Sequence, residues 1–296
     1  MEMTQRHPYT KIMLRAILTV CLLTAAFFYI YWVYPLPGDW NDNLLNFSFT
    51  FVALLAAGIA TLNYQHFKRG EPLRRVWMNL ALGLWGWVLA EAIWACLTLF
   101  MEVPDISLAD IPWVGAYFFL MAAFIHQFRV ITLPTPAQER KWLRIVLLVL
   151  LIGPVLVTQL ERALWNTEQT WFDTYVSIFY VFADLTLAVA AIKIARIFGR
   201  GLFGRAWIGL LAFVISDLFY SALLITGLYA QSAKSDSVLS MFADAVYFDA
   251  YLITALALLT NYVLFRFGPK PIPASEFLVE PSLKSLEPGK ISHTRR

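Results

Sequence analysis

Charge is what this sequence has least of. Asp, Glu, Lys and Arg make up 15% of its 296 residues, 59% are apolar, and the mean hydropathy is +0.63. A water-soluble domain carries about 25% charged and 45–50% apolar residues. The composition therefore excludes an ordinary soluble fold. Cysteine is almost absent, and Cys21 and Cys96 both lie in apolar runs, so they carry no information about a disulfide compartment. Missing too are a phosphate-binding glycine loop, a dinucleotide fingerprint, zinc-binding Cys/His spacing and a nucleophile elbow. No deep lysine is present to hold retinal as a Schiff base. His66 and His126 lie at span ends beside Lys68 and Arg129, as interfacial histidines do, rather than as haem ligands. The sequence leaves any cofactor unknown.

What is abundant comes in long apolar runs. About 20 residues at 1.5 Å each cross some 30 Å of hydrocarbon, and runs of that length recur at 14–34, 44–65, 76–100, 112–131, 143–160, 173–195, 206–229 and 240–265. The expected fold is an all-α membrane protein with eight transmembrane helices. The fifth run is the shortest and carries Gly153-Pro154, a site for a kink. The first run is too long for a secretory signal and ends in "YIYWVYPLPGDW" rather than at a small-residue cleavage site, so a retained helix is expected.

The scarce charges are sorted by side. Of 23 Lys and Arg, only Arg162 and Lys234 fall in the loops at 34–43, 101–111, 161–172 and 230–239. The rest lie at the termini and in the alternate loops, and basic residues stay cytoplasmic. Both termini are thus expected inside the cell. The formal charge of +3 is a topological signal and contact with anionic headgroups, not a nucleic-acid footprint. Residues 1–267 form the expected transmembrane domain. Residues 268–296, rich in Pro, Ser and charge, read as a disordered cytoplasmic tail too short for an output domain.

The interior acids are the exception to the poverty of charge. "VLAEAIW" (88–94) places Glu91 mid-run, and "VISDLFY" (214–220) repeats its order of residue types around Asp217. A second pair follows: "ADIPWVGAYF" (109–118) and "ADAVYFDAYL" (243–252). Two motif pairs in the same order point to a duplication, with one repeat at about 11–131 and another at about 142–266. Each has an even number of spans, so the two four-helix repeats are parallel.

An acid at a helix centre costs about 2.5–3.5 kcal/mol to insert. Glu91, Asp184, Asp217, Asp244 and Asp249, with Asp110 just before the fourth span, must therefore face the bundle interior or a wet cavity. Aromatic donors accompany them at helical spacing: Trp87 and Trp94 flank Glu91, Tyr180 precedes Asp184, and Tyr220 follows Asp217. Asp110 shares a face with Trp113 and Tyr117, and Asp244 with Tyr247 and Tyr251. Glu91 is expected to meet either Asp217 and Tyr220 or Tyr247 and Asp249. A protonated carboxylic acid both donates and accepts, which suits an interhelical network. Asp110 and Asp244 also stand where helix N-caps stand.

The stretch "LGLWGWVLAEAIWACLTLFMEVPDISLADIPWVGAYFFLMAA" resembles the polytopic membrane modules of archaeal and bacterial signalling proteins. The resemblance is carried by Glu91, Trp94, Pro104, Ser107, Ala109, Asp110, Trp113 and Tyr117, over roughly residues 80–125, with an echo at 210–255. Such modules occur alone or ahead of histidine-kinase, PAS or diguanylate-cyclase domains. Here Asp105-Ile106 stands where the family usually has Pro before the Ser. The resemblance implies a multi-pass protein of a prokaryotic cytoplasmic membrane that, lacking an output domain, acts through a membrane partner.

Three functions follow as expectations. The first is a non-enzymatic sensor-like or accessory module with an outer-half acidic and aromatic pocket. The second is a membrane enzyme on an isoprenoid or lipid, with buried acids as general acids and aromatic walls facing a carbocation. The third is a proton or cation pathway, since intramembrane acids mark such routes. An interhelical network that only fixes the packing competes with all three.

Overall fold

The computed structural model describes residues 8–37, 40–104, 106–132, 136–165, 170–198, 204–225, 228–229 and 238–267. The loop residues Asp39, Asp105 and Lys234 and the tail 268–296 lie outside them.

The described residues are helical almost throughout. Helix α1 (Pro8–Phe28) runs on through a π-helical turn at Tyr29–Val33, and α2 (Trp40–His66) and α3 (Pro72–Thr98) follow. Next come α4 (Asp110–Thr132), then α5 (Pro136–Leu147), joined by a π turn at Leu148–Ile152 to α6 (Gly153–Trp165). Helices α7 (Trp171–Phe198), α8 (Gly204–Ile225) and α9 (Val238–Phe267) are the last of the described helices. Among the described residues, seven helices are long and apolar enough to cross a membrane: α1 with its π turn, α2, α3, α4, α7, α8 and α9. The fifth expected span is a shorter apolar stretch, Arg144–Leu160. The expected seventh span ran to Tyr229, but α8 stops at Ile225 and the Tyr229 N–H folds back onto the Leu223 carbonyl.

Local chemistry sets several helix ends. Gly70 takes φ +94° in the turn after α2, a conformation that glycine adopts without penalty, and Pro72 opens α3 where its missing N–H is harmless. Arg74 locks that turn by donating to the Phe67 carbonyl and the Tyr64 hydroxyl, both at 2.6 Å. Before α4, Ser107 and Asp110 form a capping box. The Ser107 hydroxyl accepts the Ala109 N–H, while the Asp110 carboxylate accepts the Ser107 N–H at 2.7 Å. Thr170 and Asp173 do the same before α7.

Helix contacts close a ring in the order α2, α3, α4, α7, α8, α9 and back to α2. Helix α1 packs outside the ring on α9, and α6 outside it on α7. Small residues let the walls approach. A Cβ on Gly86 would stand 2.9 Å from the Ala116 Cβ, and one on Gly209 would stand 3.0 Å from the Thr254 Cα. Such close backbone contact is how helices associate where lipid and side chains are equally apolar. The outward faces are apolar and open, with Leu89, Ile215 and Ile253 exposed. This is the architecture of a multi-pass membrane protein.

Candidate functional site

The ring is filled by aromatic side chains, and the acids sit among them. Trp87 of α3 is fully buried between Tyr117 of α4 (ring centroids 5.4 Å apart) and Phe213 of α8 (4.5 Å). It bridges helices on opposite sides of the ring.

Glu91, 3% exposed, accepts hydrogen bonds from the hydroxyls of Tyr247 and Tyr251 of α9, both on its Oε1 at 2.9 Å. Those two hydroxyls lie 3.3 Å from one another. The expectation that Glu91 faces the bundle and meets Tyr247 holds. Asp249 is not part of that meeting. It is half-buried on another face of α9, and its Oδ1 accepts from Thr24 of α1 at 2.6 Å.

Across the ring, the Tyr117 hydroxyl lies 2.7 Å from Asp184 Oδ1 of α7 and 2.7 Å from Asp217 Oδ2 of α8. The two carboxyls are themselves in hydrogen-bonding contact. Asp184 is completely buried and Asp217 half-buried. Tyr180, one turn before Asp184, does not serve it. Its hydroxyl donates instead to Asp110 Oδ1 of α4 at 2.6 Å, so Asp110 caps its helix with one oxygen and ties α4 to α7 with the other.

Asp244 shows a similar division. Tyr31, in the π turn after α1, donates to its Oδ2 at 2.7 Å, and Tyr229, beyond the end of α8, donates to its Oδ1 at 2.9 Å. The Tyr229 hydroxyl also bonds that of Tyr220, with ring centroids 4.6 Å apart. Burial, reinforced by the neighbouring Asp244, pushes the Tyr229 hydroxyl above the ordinary tyrosine range, which keeps it a donor. Trp94 and Trp113 stand apart from the acids, half-buried and packed on each other at 5.9 Å.

The donors that sequence reasoning missed are Tyr31, Tyr229 and Thr24. Tyr31 lay hidden in an interfacial aromatic belt, and Tyr229 in a span that ends before it. Asn261 was missed as well. It is completely buried on α9, and neither atom of its amide has a hydrogen-bond partner among the described residues. A signal existed, since Asp244, Tyr247, Tyr251, Thr254 and Asn261 share one helical stripe. Opposite it, Asn63 of α2 donates to the Leu258 carbonyl at 3.0 Å.

The site is thus, among the described residues, a set of carboxyl–hydroxyl pairs, most of which join two helices. Among the described residues, no group of three His, Cys, Asp or Glu is arranged to hold a metal ion. His66 stacks on Phe265 at 5.2 Å, which gives it a packing role. Two surface depressions lie elsewhere, lined by Arg140, Lys141 and Arg144 and by Arg69, Arg74 and Arg75, the chemistry of anionic headgroup contact. Compared with protein-family models, curated proteins and solved structures, the chain matches none at a significant level.

Proposed function

We propose that the chain is a non-enzymatic module of a cell membrane, sensor-like or accessory in kind, that acts through a protein partner in that membrane. The observation that carries this reading is the crossed bonding at the centre of the ring. Glu91 of the first half is held by Tyr251 of the second, and Asp217 of the second half is held by Tyr117 of the first. These residues occupy matching places in the two motif pairs. A clasp of this kind gives the halves discrete arrangements, and a ligand or partner that prefers one of them shifts the population. The resemblance around Glu91 and Asp110 to signalling membrane modules points the same way.

The crossed bonds also support two parallel four-helix repeats. Gly83 and Gly209 differ by the same offset as Glu91 and Asp217, and each presses on the last helix of its half, at Leu120 and Thr254. Those two contacts differ by the same offset as Asp110 and Asp244. Exchanging the halves turns the α2–α9 contact into the α7–α4 contact, and both are present. An eighth span through Arg144–Leu160 sits at the lower limit of spanning length. With the basic loops on one side, it puts both termini in the cytoplasm. Reporter fusions at positions 70 and 200 should then read inside, and at 105 and 235 outside. A reversal at any one of the four would break this topology.

The functional reading is tested by cross-linking the full chain in its native membrane. One defined protein should be captured in fixed ratio, and in reduced yield from Tyr117→Phe and Tyr251→Phe. Recovery of the chain alone would count against a module that borrows its output.

A second reading, a proton pathway, is favoured by the polar stripe of α9. From Asp244 to Asn261 it covers about 25 Å at 1.5 Å per residue, and Asp244, Tyr251, Thr254 and Asn261 are all buried. Proteoliposomes with a trapped pH dye should then show a flux that Glu91→Gln and Asn261→Leu each reduce. No flux above that of empty liposomes removes the pathway.

A further inference from the structure

We propose that Asp184, Tyr117 and Asp217 form a proton-binding centre, in which one exchangeable proton, beyond the tyrosine's own, is held between the two carboxyls and the hydroxyl. Hydrogen count carries the argument. A tyrosine hydroxyl has one hydrogen and so donates one bond. Tyr117 nevertheless stands 2.7 Å from an oxygen of each carboxyl, the ordinary length of an O–H···O bond. Both contacts are bonds only when one carboxyl carries a proton and donates it to the tyrosine oxygen. With both carboxyls ionised, one contact becomes a meeting of lone pairs. Binding is a simple addition, a carboxylate and a proton giving a carboxylic acid, with no other reactant.

Among the described residues, no cationic group faces the pair. The titratable groups of the described residues that face it are Glu91 from α3, Asp110 through Tyr180 from the α4–α7 seam, and Tyr247 and Tyr251 from α9. All are acids or tyrosines. An independent observation bears on the charge: Asp184 Oδ2 is buried without a hydrogen-bond partner among the described residues, so a negative charge on that carboxyl would go unmet there. Asp184 is sealed, whereas Asp217 is half-buried. The three groups lie on α7, α4 and α8, and losing the proton breaks one of the two bonds that tie those helices together. In the sensor-like reading the proton is the ligand sensed. That use rests on the reading above, whereas the binding centre itself does not.

The test is infrared spectroscopy of the full chain in nanodiscs across a pH series, with Trp87 fluorescence followed in parallel, since Trp87 packs against Tyr117. The carbonyl stretch of a protonated carboxylic acid should appear and titrate in step with Trp87 emission. Asp184→Asn and Asp217→Asn should each abolish that titrating band, and Glu91→Gln should leave it. Tyr117→Phe should keep the band and shift its midpoint, which decides the matter even where the asparagine variants fail to fold. A band unchanged in Tyr117→Phe, or present in either asparagine variant, would overturn the proposal. So would the absence of any titrating band in the wild type. None of these results depends on finding a partner, so loss of the partner reading leaves the centre standing, and the reverse also holds.

Discussion

Gly209→Ala is expected to destabilise the protein by about 1–3 kcal/mol, the usual consequence of adding a methyl group where no space exists. The new Cβ would lie 2.7 Å from the Ala257 Cβ and 3.0 Å from the Thr254 Cα. A backbone atom cannot turn aside as the end of a side chain can, so α8 and α9 must separate. Separation also stretches the bond from the Thr254 hydroxyl to the Gly209 carbonyl, now 2.9 Å. Gly86→Ala meets the Ala116 backbone and the Pro112 carbonyl in the same way and belongs in the same class. Gly83→Ala meets Cγ and Cδ2 of the fully buried Leu120 at 2.7 Å and the Ala116 carbonyl at 3.2 Å, and so belongs there too. Gly115 has nothing within 4 Å of the added carbon, so Gly115→Ala should be neutral or gain up to about 1 kcal/mol from helix propensity. Thermal unfolding in one detergent, monitored by near-ultraviolet circular dichroism, checks the series. Equal midpoints for Gly209→Ala and Gly115→Ala would show that the α8–α9 contact is looser than described.

Glu91→Leu is the second large effect. It removes the acceptor of two buried hydroxyls. Tyr247 and Tyr251 lie 3.3 Å apart, so one can accept from the other, and a single donor is left unpaired. An unpaired buried donor costs roughly 1–3 kcal/mol. Glu91→Gln keeps a carbonyl oxygen where the two hydroxyls converge and adds a donor, so its loss should be much smaller. Unfolding midpoints of the two variants and of Tyr251→Phe give the comparison. If leucine proves as stable as glutamine, the tyrosines have other acceptors and the clasp is not what joins the halves. A folded Glu91→Gln protein that loses partner capture would make Glu91 a functional acid rather than a packing one.

The membrane placement and the inward turn of the acids were legible in the sequence because both follow from single-residue transfer costs. A run of 20 apolar residues has no stable home in water, and Glu91, Asp184 and Asp244 have none in lipid. All three are buried. Asp249 shows where that argument runs out. It sits two residues from Tyr247, about 200° round the helix, and so faces α1 and Thr24 instead of Glu91. Depth along the chain put it with the network, but rotation about the axis took it away. The expected end of the seventh span failed for a related reason. Apolarity continues to Tyr229, yet the Tyr229 N–H finds the Leu223 carbonyl and its hydroxyl finds Asp244 only once the helix has stopped.

By itself, then, the sequence determined a helical membrane protein with carboxyls turned inward and hydroxyls on the same stripes. Only the tertiary structure decided which hydroxyl serves which acid. Tyr180 passes over Asp184 on its own helix to reach Asp110, while Tyr117 crosses to Asp184 and Asp217. The physical reason is reach. A tyrosine hydroxyl sits at the far end of a long rigid ring and meets its partner across the 8–10 Å between packed helices rather than one turn along its own. Its choice depends on the rotation and register of neighbouring helices, and those are set where Gly83, Gly86 and Gly209 let backbones touch. No periodicity within a single span records that contact.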